Sequence, residues 1–264
     1  MEWLKRFVTI MDIISEATTA GVSITELAHT TELSKGSLHR ILQDMAGHNL
    51  ITQNSNTKKY FLGPKSMVWG SKFVLGQDPA GILSQYCDLL AERTNLYTFL
   101  SRINGGEVYC IYTKQPSKFN KKYFVHVGQR MPLHCTAAAK SMVAFLPDAQ
   151  IDDLIAQNDM IKFTKNTKTA ATSIIDELKD IKTSGIAFCR EELELGVSGI
   201  STPIFVGNNQ AAFSISLLSD AAFINQKEES LIQEIVQMGK QASEHMGRVR
   251  LLTSVNGDLI QTAF

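Results

Sequence analysis

The chain lacks most of what secreted, zinc-binding and membrane proteins depend on. Its four cysteines lie far apart and form no Cys-x-x-Cys pair, so neither a zinc site of the usual spacing nor a disulfide framework is expected. No run of about 18 uncharged apolar residues is present, so no segment predicts a membrane-spanning helix. The stretch MEWLKRFVTIMDII carries charges within its apolar run, unlike a signal peptide. We expect a cytoplasmic protein with reduced thiols and with no metal or cofactor.

Net charge is also absent, because 26 basic and 26 acidic residues cancel. Overall charge therefore gives no indication of a nucleic-acid partner. Hydrophobic residues make up 44% of the 264 residues and charged residues 20%, which is typical of a globular protein. This length allows one large domain or two of ordinary size. Since there is no internal repeat or low-complexity segment, a functional signal must come from local charge and from motifs.

The first 63 residues predict three helices followed by a hairpin. Apolar residues recur with helical spacing over residues 4–14, and a second short helix follows. Ser34 precedes KGSLHRIL, and its hydroxyl is suited to cap a third helix that ends near His48. Two short β-rich runs within residues 50–62 flank a turn. Three helices and then a hairpin is the order of a winged helix-turn-helix.

Positive charge is concentrated in this region. Between residues 34 and 65, five residues are basic and Asp44 is the only acidic residue. The start of a basic helix suits base edges in the major groove, and lysines at a hairpin tip suit phosphates. The alternative is that these charges are simply a solvated helix face. The predicted residues for binding double-stranded DNA are Ser34, Lys35, Ser37, His39, Arg40, Lys58 and Lys59.

The rest of the chain alternates helices with glycine-broken strands. The predicted elements are a helix over residues 64–78, a helix from Ile82 to Arg93, a hairpin around Asn104-Gly105-Gly106, a strand in KKYFVHV before a turn at Gly128, helices at Thr136–Phe145, Ile151–Gln157 and Thr172–Thr183, strands on both sides of a turn at Gly207-Asn208-Asn209, and a final helix from Lys227 to Arg250. This pattern predicts an α+β fold with an antiparallel-leaning sheet.

Four stretches together resemble one known family. They are the helix-turn-helix with YFLGPK after the wing, then VGQRMPLHCTAAAKSMVAFLP, GIAFCREELELGVSGISTPIF and AAFSISLL, in the family's order over residues 4–250. The chain thus resembles the isocitrate lyase regulator (IclR) family of bacterial transcription factors. The resemblance implies a winged helix-turn-helix (1–63), a linker helix (64–78), a GAF-like effector-binding domain (79–250) and a C-terminal tail (251–264). It also implies a homodimer or dimer of dimers on a DNA operator, and the apolar stripe of Met67, Val68, Phe73 and Val74 favours interhelical or dimer packing.

The stretch PLHCTAAAK bears on the effector. Small residues leave backbone N–H groups approachable at a helix start, which is a ready site for an anion. The resemblance implies that effector-lining positions fall on Ala137, Ala138, Cys189, Gly199, Ser214 and Ser216, and we add His134 and Thr136 beside them. Ser214 and Ser216 alternate along one predicted strand, so their hydroxyls share a face. Because Cys189 stands where some family members carry a carboxylate, we expect a carboxylate-bearing metabolite such as a sugar acid or keto acid.

The alternative is a small-molecule enzyme that uses Cys135 or Cys189 and carries an accessory helix-turn-helix. His134 and Cys135 are neighbours, and adjacent residues on a strand point to opposite faces, so they would not pair. Glu191-Glu192 precedes a glycine turn, a pattern typical of a solvated corner or a helix cap. No protease or hydrolase signature surrounds either cysteine. We therefore predict a protein that is not an enzyme.

Overall fold

Two units make up the chain in the computed structural model, residues 1–77 and residues 78–264. The structure describes residues 2–17, 19–75, 78–116, 123, 125–206 and 210–255. The predicted α+β class is confirmed, with helices and antiparallel strands in both units. Within the described residues, no helix is long and apolar enough to cross a membrane.

The first unit has the element order predicted for a winged helix-turn-helix. Its elements are α1 (Glu2–Glu16), α2 (Ile24–Thr31), α3 (Lys35–Gly47), β1 (Ile51–Gln53), β2 (Tyr60–Leu62) and α4 (Pro64–Leu75). A capping box begins α2, because Ser23 Oγ accepts from the Glu26 N–H and the Glu26 carboxylate accepts from the Ser23 N–H. Ile10, Leu27 and Leu38 are fully buried, so each of the three helices contributes one apolar side to the core.

The second unit is a five-stranded sheet with helices on both faces. Its elements are α5 (Asp78–Thr94), β3 (Tyr97–Asn104), β4 (Glu107–Lys114), α6 (Ala137–Val143), α7 (Asp148–Gln157), α8 (Ala171–Ser184), β5 (Ala187–Arg190), β6 (Val197–Val206), β7 (Gln210–Asp220) and α9 (Ala221–Val255). The strand order is β4-β3-β7-β6-β5, and every neighbouring pair is antiparallel. Residues of α6 and α8 pack on one face, with Phe99 and Leu218. On the other face α5 reaches Thr98 and α9 approaches Thr202.

One predicted strand and the starts of several predicted helices differ from the structure. The strand predicted in KKYFVHV is wrong for its described residues, since Tyr123 and residues 125–127 lie outside any strand. Instead the chain turns at Gly128. It then forms isolated backbone hydrogen bonds with β4 rather than a continuous ladder, and the Met131 N–H donates to the Val108 carbonyl at 2.7 Å. Helices α5 and α9 begin four and six residues before their predicted starts. The predicted start of α5 is late because Pro79 is treated as a helix breaker. A proline is tolerated in the first turn of a helix, because the N–H that it lacks would have no partner within the helix.

Several predictions concern residues outside the described ranges. The turn at residues 207–209, residues 76–77 at the predicted end of the linker helix, and residues 256–264 of the predicted tail lie there. Residues 251–255 of that tail belong to α9.

Candidate functional site

The start of α3 presents the polar side chains predicted to contact DNA. Ser34 caps the helix, since its hydroxyl accepts from the Ser37 N–H at 3.2 Å and donates to Ser37 Oγ at 3.0 Å. Leu38 and Leu42 are fully buried beneath it, which fixes the opposite side of α3 toward solvent. The remaining predicted residues of this helix are all exposed: Lys35, Ser37, His39 and Arg40.

The two lysines predicted for the wing differ in their surroundings. Lys58 is exposed in the hairpin turn and has a left-handed backbone with φ of 57°. Lys59 is half-buried, and its ammonium donates to the Ala20 carbonyl at 3.2 Å. Only Lys58 therefore extends freely toward solvent at the hairpin tip. Sequence spacing treats the two as equivalent because it does not show which one folds back on the core.

The start of α6 has hydrogen-bond donors of the kind predicted for an anion site. Thr136 caps this helix, and its hydroxyl accepts from the Ala139 N–H at 3.4 Å and donates to the Pro132 carbonyl at 2.8 Å. The N–H groups of Ala137 and Ala138 are the first two of the helix, so they lie outside its own hydrogen bonding. The helix has only seven residues, so its dipole is small, and what its start could offer an anion is these two N–H donors.

The sheet face beneath α6 carries the other predicted effector residues. The strand register pairs Cys189 with Gly199, and Ser216 with Ser201. Ser214 lies two residues before Ser216 on β7, so its side chain shares this face. All of these residues are buried. The structure thus brings the predicted serines, Cys189 and Gly199 to the sheet face on which α6 packs.

The hydroxyls on this face differ in their hydrogen bonding. Ser216 donates to Ser201 Oγ at 2.9 Å, Ser201 donates to the Ile215 carbonyl at 3.1 Å, and Ser141 of α6 lies 3.1 Å from Ser201. Ser214, by contrast, is fully buried, and its hydroxyl has no hydrogen-bond partner among the described residues. Burying such a group without a partner costs about 1–3 kcal/mol. Among the predicted effector residues, Ser214 is the one whose hydroxyl lacks a hydrogen-bond partner, which a ligand could supply.

His134 lies apart from the serines. It is in a turn before α6 rather than on a strand, its Nε2 donates to the Ile161 carbonyl at 2.9 Å, and its ring stacks on Phe163. These residues line a cleft of about 320 Å³. A second cleft, of about 420 Å³, lies among the β3–β4 hairpin, α7 and β7. Gly106 and Gln157 line both clefts, so the two adjoin.

The thiols considered for catalysis are both protonated at neutral pH. Burial raises the pKa of Cys135 to about 12, and the negative charge of Glu192 acts in the same direction. Burial and Glu192 also raise the pKa of Cys189. Because the thiolate is the nucleophile, these surroundings disfavour covalent catalysis. Among the described residues, no three His, Cys, Asp or Glu side chains are grouped to hold a metal ion.

A buried ion cluster beside the sheet face on which α6 packs was missed by sequence reasoning. Lys140 of α6 is fully buried, and its ammonium lies 2.7 Å from Glu177 and 2.8 Å from Glu192. The interpretation of Glu191-Glu192 as a solvated corner is wrong for Glu192, which is 5% exposed. The missed signal was a lone lysine in the apolar helix TAAAKSMVAF, because a buried lysine is almost always paired.

Electrostatics within this cluster favour the charged forms. Burial pushes the pKa of Lys140 down, but the charges of Glu192 and Glu177 outweigh burial and raise it. Burial likewise pushes the pKa of Glu177 up, but Lys140 and Lys168 outweigh it, so the pKa is lowered. The cluster therefore fixes α6, with the Ala137 and Ala138 donors at its start, to α8 and to the corner after β5.

Comparison with known proteins places both units of the chain in one family. Residues 4–55 match the IclR helix-turn-helix domain, and residues 76–245 match the family described as bacterial transcriptional regulator IclR C-terminal. The chain belongs to the IclR family. The HTH-type transcriptional regulator XynR of Escherichia coli strain K12 is 30% identical over 237 residues, which cover 86% of this chain and 91% of that protein.

Solved structures of IclR-family proteins show the same fold. The IclR of Thermotoga maritima matches with a TM-score of 0.73 and 23% identity, over 94% of this chain and 99% of that one. An IclR homolog of Microbacterium hydrocarbonoxydans, complexed with 4-hydroxybenzoate, matches with a TM-score of 0.78 and 13% identity, over 92% and 98%. This IclR-family protein is thus a transcriptional regulator with an N-terminal helix-turn-helix domain and a C-terminal IclR effector domain.

Proposed function

We propose that this IclR-family regulator binds an operator in double-stranded DNA through α3 and the wing, and that a small carboxylate-bearing metabolite in the second unit controls that binding. The observation that carries the effector proposal is the Ser214 hydroxyl, which is fully buried and lacks a partner on the face beneath α6. A native core satisfies nearly all of its buried hydroxyls, so an unsatisfied one at the predicted site indicates a group from outside the chain.

The DNA surface divides into base-reading and phosphate-binding parts. Lys35 and Arg40, with Ser34, Ser37 and His39 around them, line the solvent side of α3 and suit base edges and the flanking phosphates. Lys58 suits a phosphate beside the groove. Lys59 has the smaller part in this proposal, because its ammonium already binds the Ala20 carbonyl.

The proposed effector surface combines N–H donors for an anion with one hydroxyl that can donate a hydrogen bond and one that can accept one. A ligand carboxylate would accept hydrogen bonds from the N–H groups of Ala137 and Ala138, which Thr136 leaves available. Ser214 would donate to the ligand, whereas Ser216 already donates to Ser201 and is left as an acceptor. Cys189 and Gly199 form the neutral wall. A sugar acid or keto acid meets these requirements, and the 4-hydroxybenzoate in the Microbacterium homolog's structure also carries a carboxylate.

We further propose that the protein acts as a homodimer or a dimer of dimers. One winged helix reads only a short half-site, so specific binding calls for two. The first unit exposes large apolar side chains on α1 and α4, with Trp3 71%, Met67 71% and Trp69 51% exposed. Such residues suit a subunit interface. Of the predicted stripe, the side chains of Phe73 and Val74 lie outside the described part. Sedimentation showing only monomer, with and without DNA, would contradict this proposal.

Calorimetric titration against a panel of small acids tests the effector assignment. The panel is glyoxylate, pyruvate, gluconate and 4-hydroxybenzoate, titrated into the wild type, Ser214→Ala and Ser219→Ala. Ser219 is the matched control, since it is buried on the same strand but on the opposite face. We expect Ser214→Ala to lose about 1–3 kcal/mol of binding free energy and Ser219→Ala to lose none.

DNA affinity without ligand serves as the second control and should be equal in all three proteins. Equal ligand affinity in the wild type and Ser214→Ala would place the effector site elsewhere. Failure of every acid to bind would refute the carboxylate assignment, and family membership would stand.

A further inference from the structure

Ser101 of β3 lies directly opposite Ser214 and has the same unsatisfied hydroxyl. The register of β3 and β7 pairs the two residues, and both are fully buried. They are the described residues whose buried side-chain polar atoms have no hydrogen-bond partner. Residues directly opposed on one face have Cβ atoms about 4.5–5.5 Å apart. One ligand group above this face of the sheet, between the two side chains, can therefore form hydrogen bonds with both hydroxyls.

The larger cleft opens along this same face of the sheet. Ile103, two residues beyond Ser101 on β3, packs against the core on the α6 side of the sheet. Ile103 and Ala212, which lies two residues from Ser214 on β7, both line the cleft of about 420 Å³. Two residues of strand span about 7 Å. The inner end of the cleft therefore lies one strand step from the hydroxyl pair, within the length of a small extended metabolite.

The walls of this cleft favour a ligand rich in hydroxyl groups. Asp153 contributes a carboxylate, which accepts hydrogen bonds from hydroxyls, and Leu154 contributes an apolar contact. The Arg102 side chain lies over the Phe213 ring on the opposite face of the sheet. Amide side chains are the most frequent polar groups, and each amide both donates and accepts hydrogen bonds. Serine hydroxyls also both donate and accept hydrogen bonds. Ligand hydroxyls need partners of both kinds, whereas a short keto acid has only acceptor oxygens. The amides are those of Asn104, Gln150, Gln157 and Gln210.

We propose that Ser101 and Ser214 form the inner end of a subsite that extends through this cleft and binds the hydroxyl-bearing chain of a polyhydroxy acid. The inference rests on the proposed function, because it concerns the same effector and adds Ser101 to the residues that bind it. Ser101 donates a hydrogen bond to one ligand hydroxyl or accepts one from it, and the cleft amides bind the hydroxyls that follow.

The first test needs no ligand. Ser101→Ala removes a hydroxyl without a partner, so the thermal midpoint of the second unit should stay the same or rise. Ser201→Ala is the matched comparison, because Ser201 donates to the Ile215 carbonyl and accepts from Ser216, and its loss should lower the midpoint. A fall for Ser101→Ala as large as that for Ser201→Ala would assign Ser101 a structural role and overturn the proposal.

The second test compares gluconate with hexanoate, an acid of the same chain length without hydroxyls, and with pyruvate. We expect the wild type to prefer gluconate and Ser101→Ala to bind gluconate about 5- to 150-fold more weakly, with Ser219→Ala unchanged. Equal gluconate affinity in the wild type and Ser101→Ala would overturn the subsite. Binding of pyruvate but not gluconate would also overturn it, and the proposed effector function would stand. Binding of none of these acids, nor of the others in the panel, would overturn both.

Discussion

Lys140→Met removes the charge at the centre of the buried ion cluster and keeps a side chain with an apolar stem. The exposed fractions of the Lys140, Glu192 and Glu177 side chains are 0%, 6% and 16%. Removing one partner of a buried pair costs about 3–5 kcal/mol, because the remaining charge stays buried without compensation. Glu177 keeps Lys168 at 2.9 Å, so most of the cost comes from Glu192. We expect the second unit to lose about 3–5 kcal/mol in free energy of unfolding.

Urea unfolding followed by two probes can assign this loss to the correct unit. The chain has two tryptophans, Trp3 and Trp69, and both lie in the first unit. Tryptophan fluorescence therefore reports on that unit, whereas far-ultraviolet circular dichroism reports on both. In Lys140→Met, the urea midpoint of the transition that only circular dichroism detects should fall, because it belongs to the second unit. The midpoint detected by fluorescence should stay the same. Lys179→Met is the matched control, since its pair with Asp176 is 71% and 74% exposed and contributes less than about 1 kcal/mol.

The pH dependence of the same difference gives an independent check. Glu177 has a lowered pKa, so its contribution is complete above the unfolded pKa and is lost as pH falls through the folded one. Lys140 has a raised pKa, so its contribution is complete at neutral pH and is lost only as pH rises through that raised pKa. The difference between wild type and Lys140→Met should therefore be constant from about pH 6 to 9 and shrink in acid. A cost below about 1 kcal/mol at neutral pH, or a difference that grows in acid, would refute this reasoning.

Further predictions concern the DNA surface and the thiols. Lys58→Ala should reduce the slope of log affinity against log salt by about one, measured by fluorescence anisotropy on a duplex selected from random sequences. Lys59→Ala should reduce it less, and an equal reduction would show that Lys59 leaves Ala20 to bind phosphate. Ser34→Ala should destabilise the first unit by about 1 kcal/mol, and an unchanged tryptophan midpoint in urea would contradict the capping role. Cys135, whose pKa burial raises to about 12, should react with a thiol reagent only after unfolding, so rapid reaction of the native protein would be the contrary result.

Elements with a local chemical signal were predictable from the sequence. Ser34 and Thr136 begin helices at the predicted positions, because a hydroxyl before an apolar helical pattern satisfies the first N–H groups. The glycines at Gly105 and Gly106 mark the hairpin, since both have positive φ, 58° and 82°. The strand predicted before Gly128 failed because β-rich composition does not ensure a neighbouring strand with which to form a continuous ladder.

Features that depend on distant parts of the chain were not predictable. Lys140 pairs with Glu192, which lies 52 positions further along the chain, and no local pattern marks that pair. Ser101 belongs to the site only because the strand order places β3 beside β7. The sequence predicts equal DNA-binding roles for Lys58 and Lys59, because nothing near Lys59 indicates that its ammonium donates to the Ala20 carbonyl. The DNA-binding and effector-binding residues therefore stay predictions, and the structure adds which of their polar groups are already occupied.

Ligand control of DNA binding is tested most directly by the dissociation constant of the wild type for the selected duplex, with and without a saturating acid. The acid is the one that calorimetry shows to bind most tightly, and ionic strength is held fixed because salt alone changes DNA affinity. A ligand acts only through unequal affinity for the DNA-bound and free states, and this coupling is reciprocal. We predict a change of about 5- to 150-fold in the wild type, lost in Ser214→Ala at the same acid concentration. An unchanged dissociation constant, with the acid shown to be bound, would contradict ligand control.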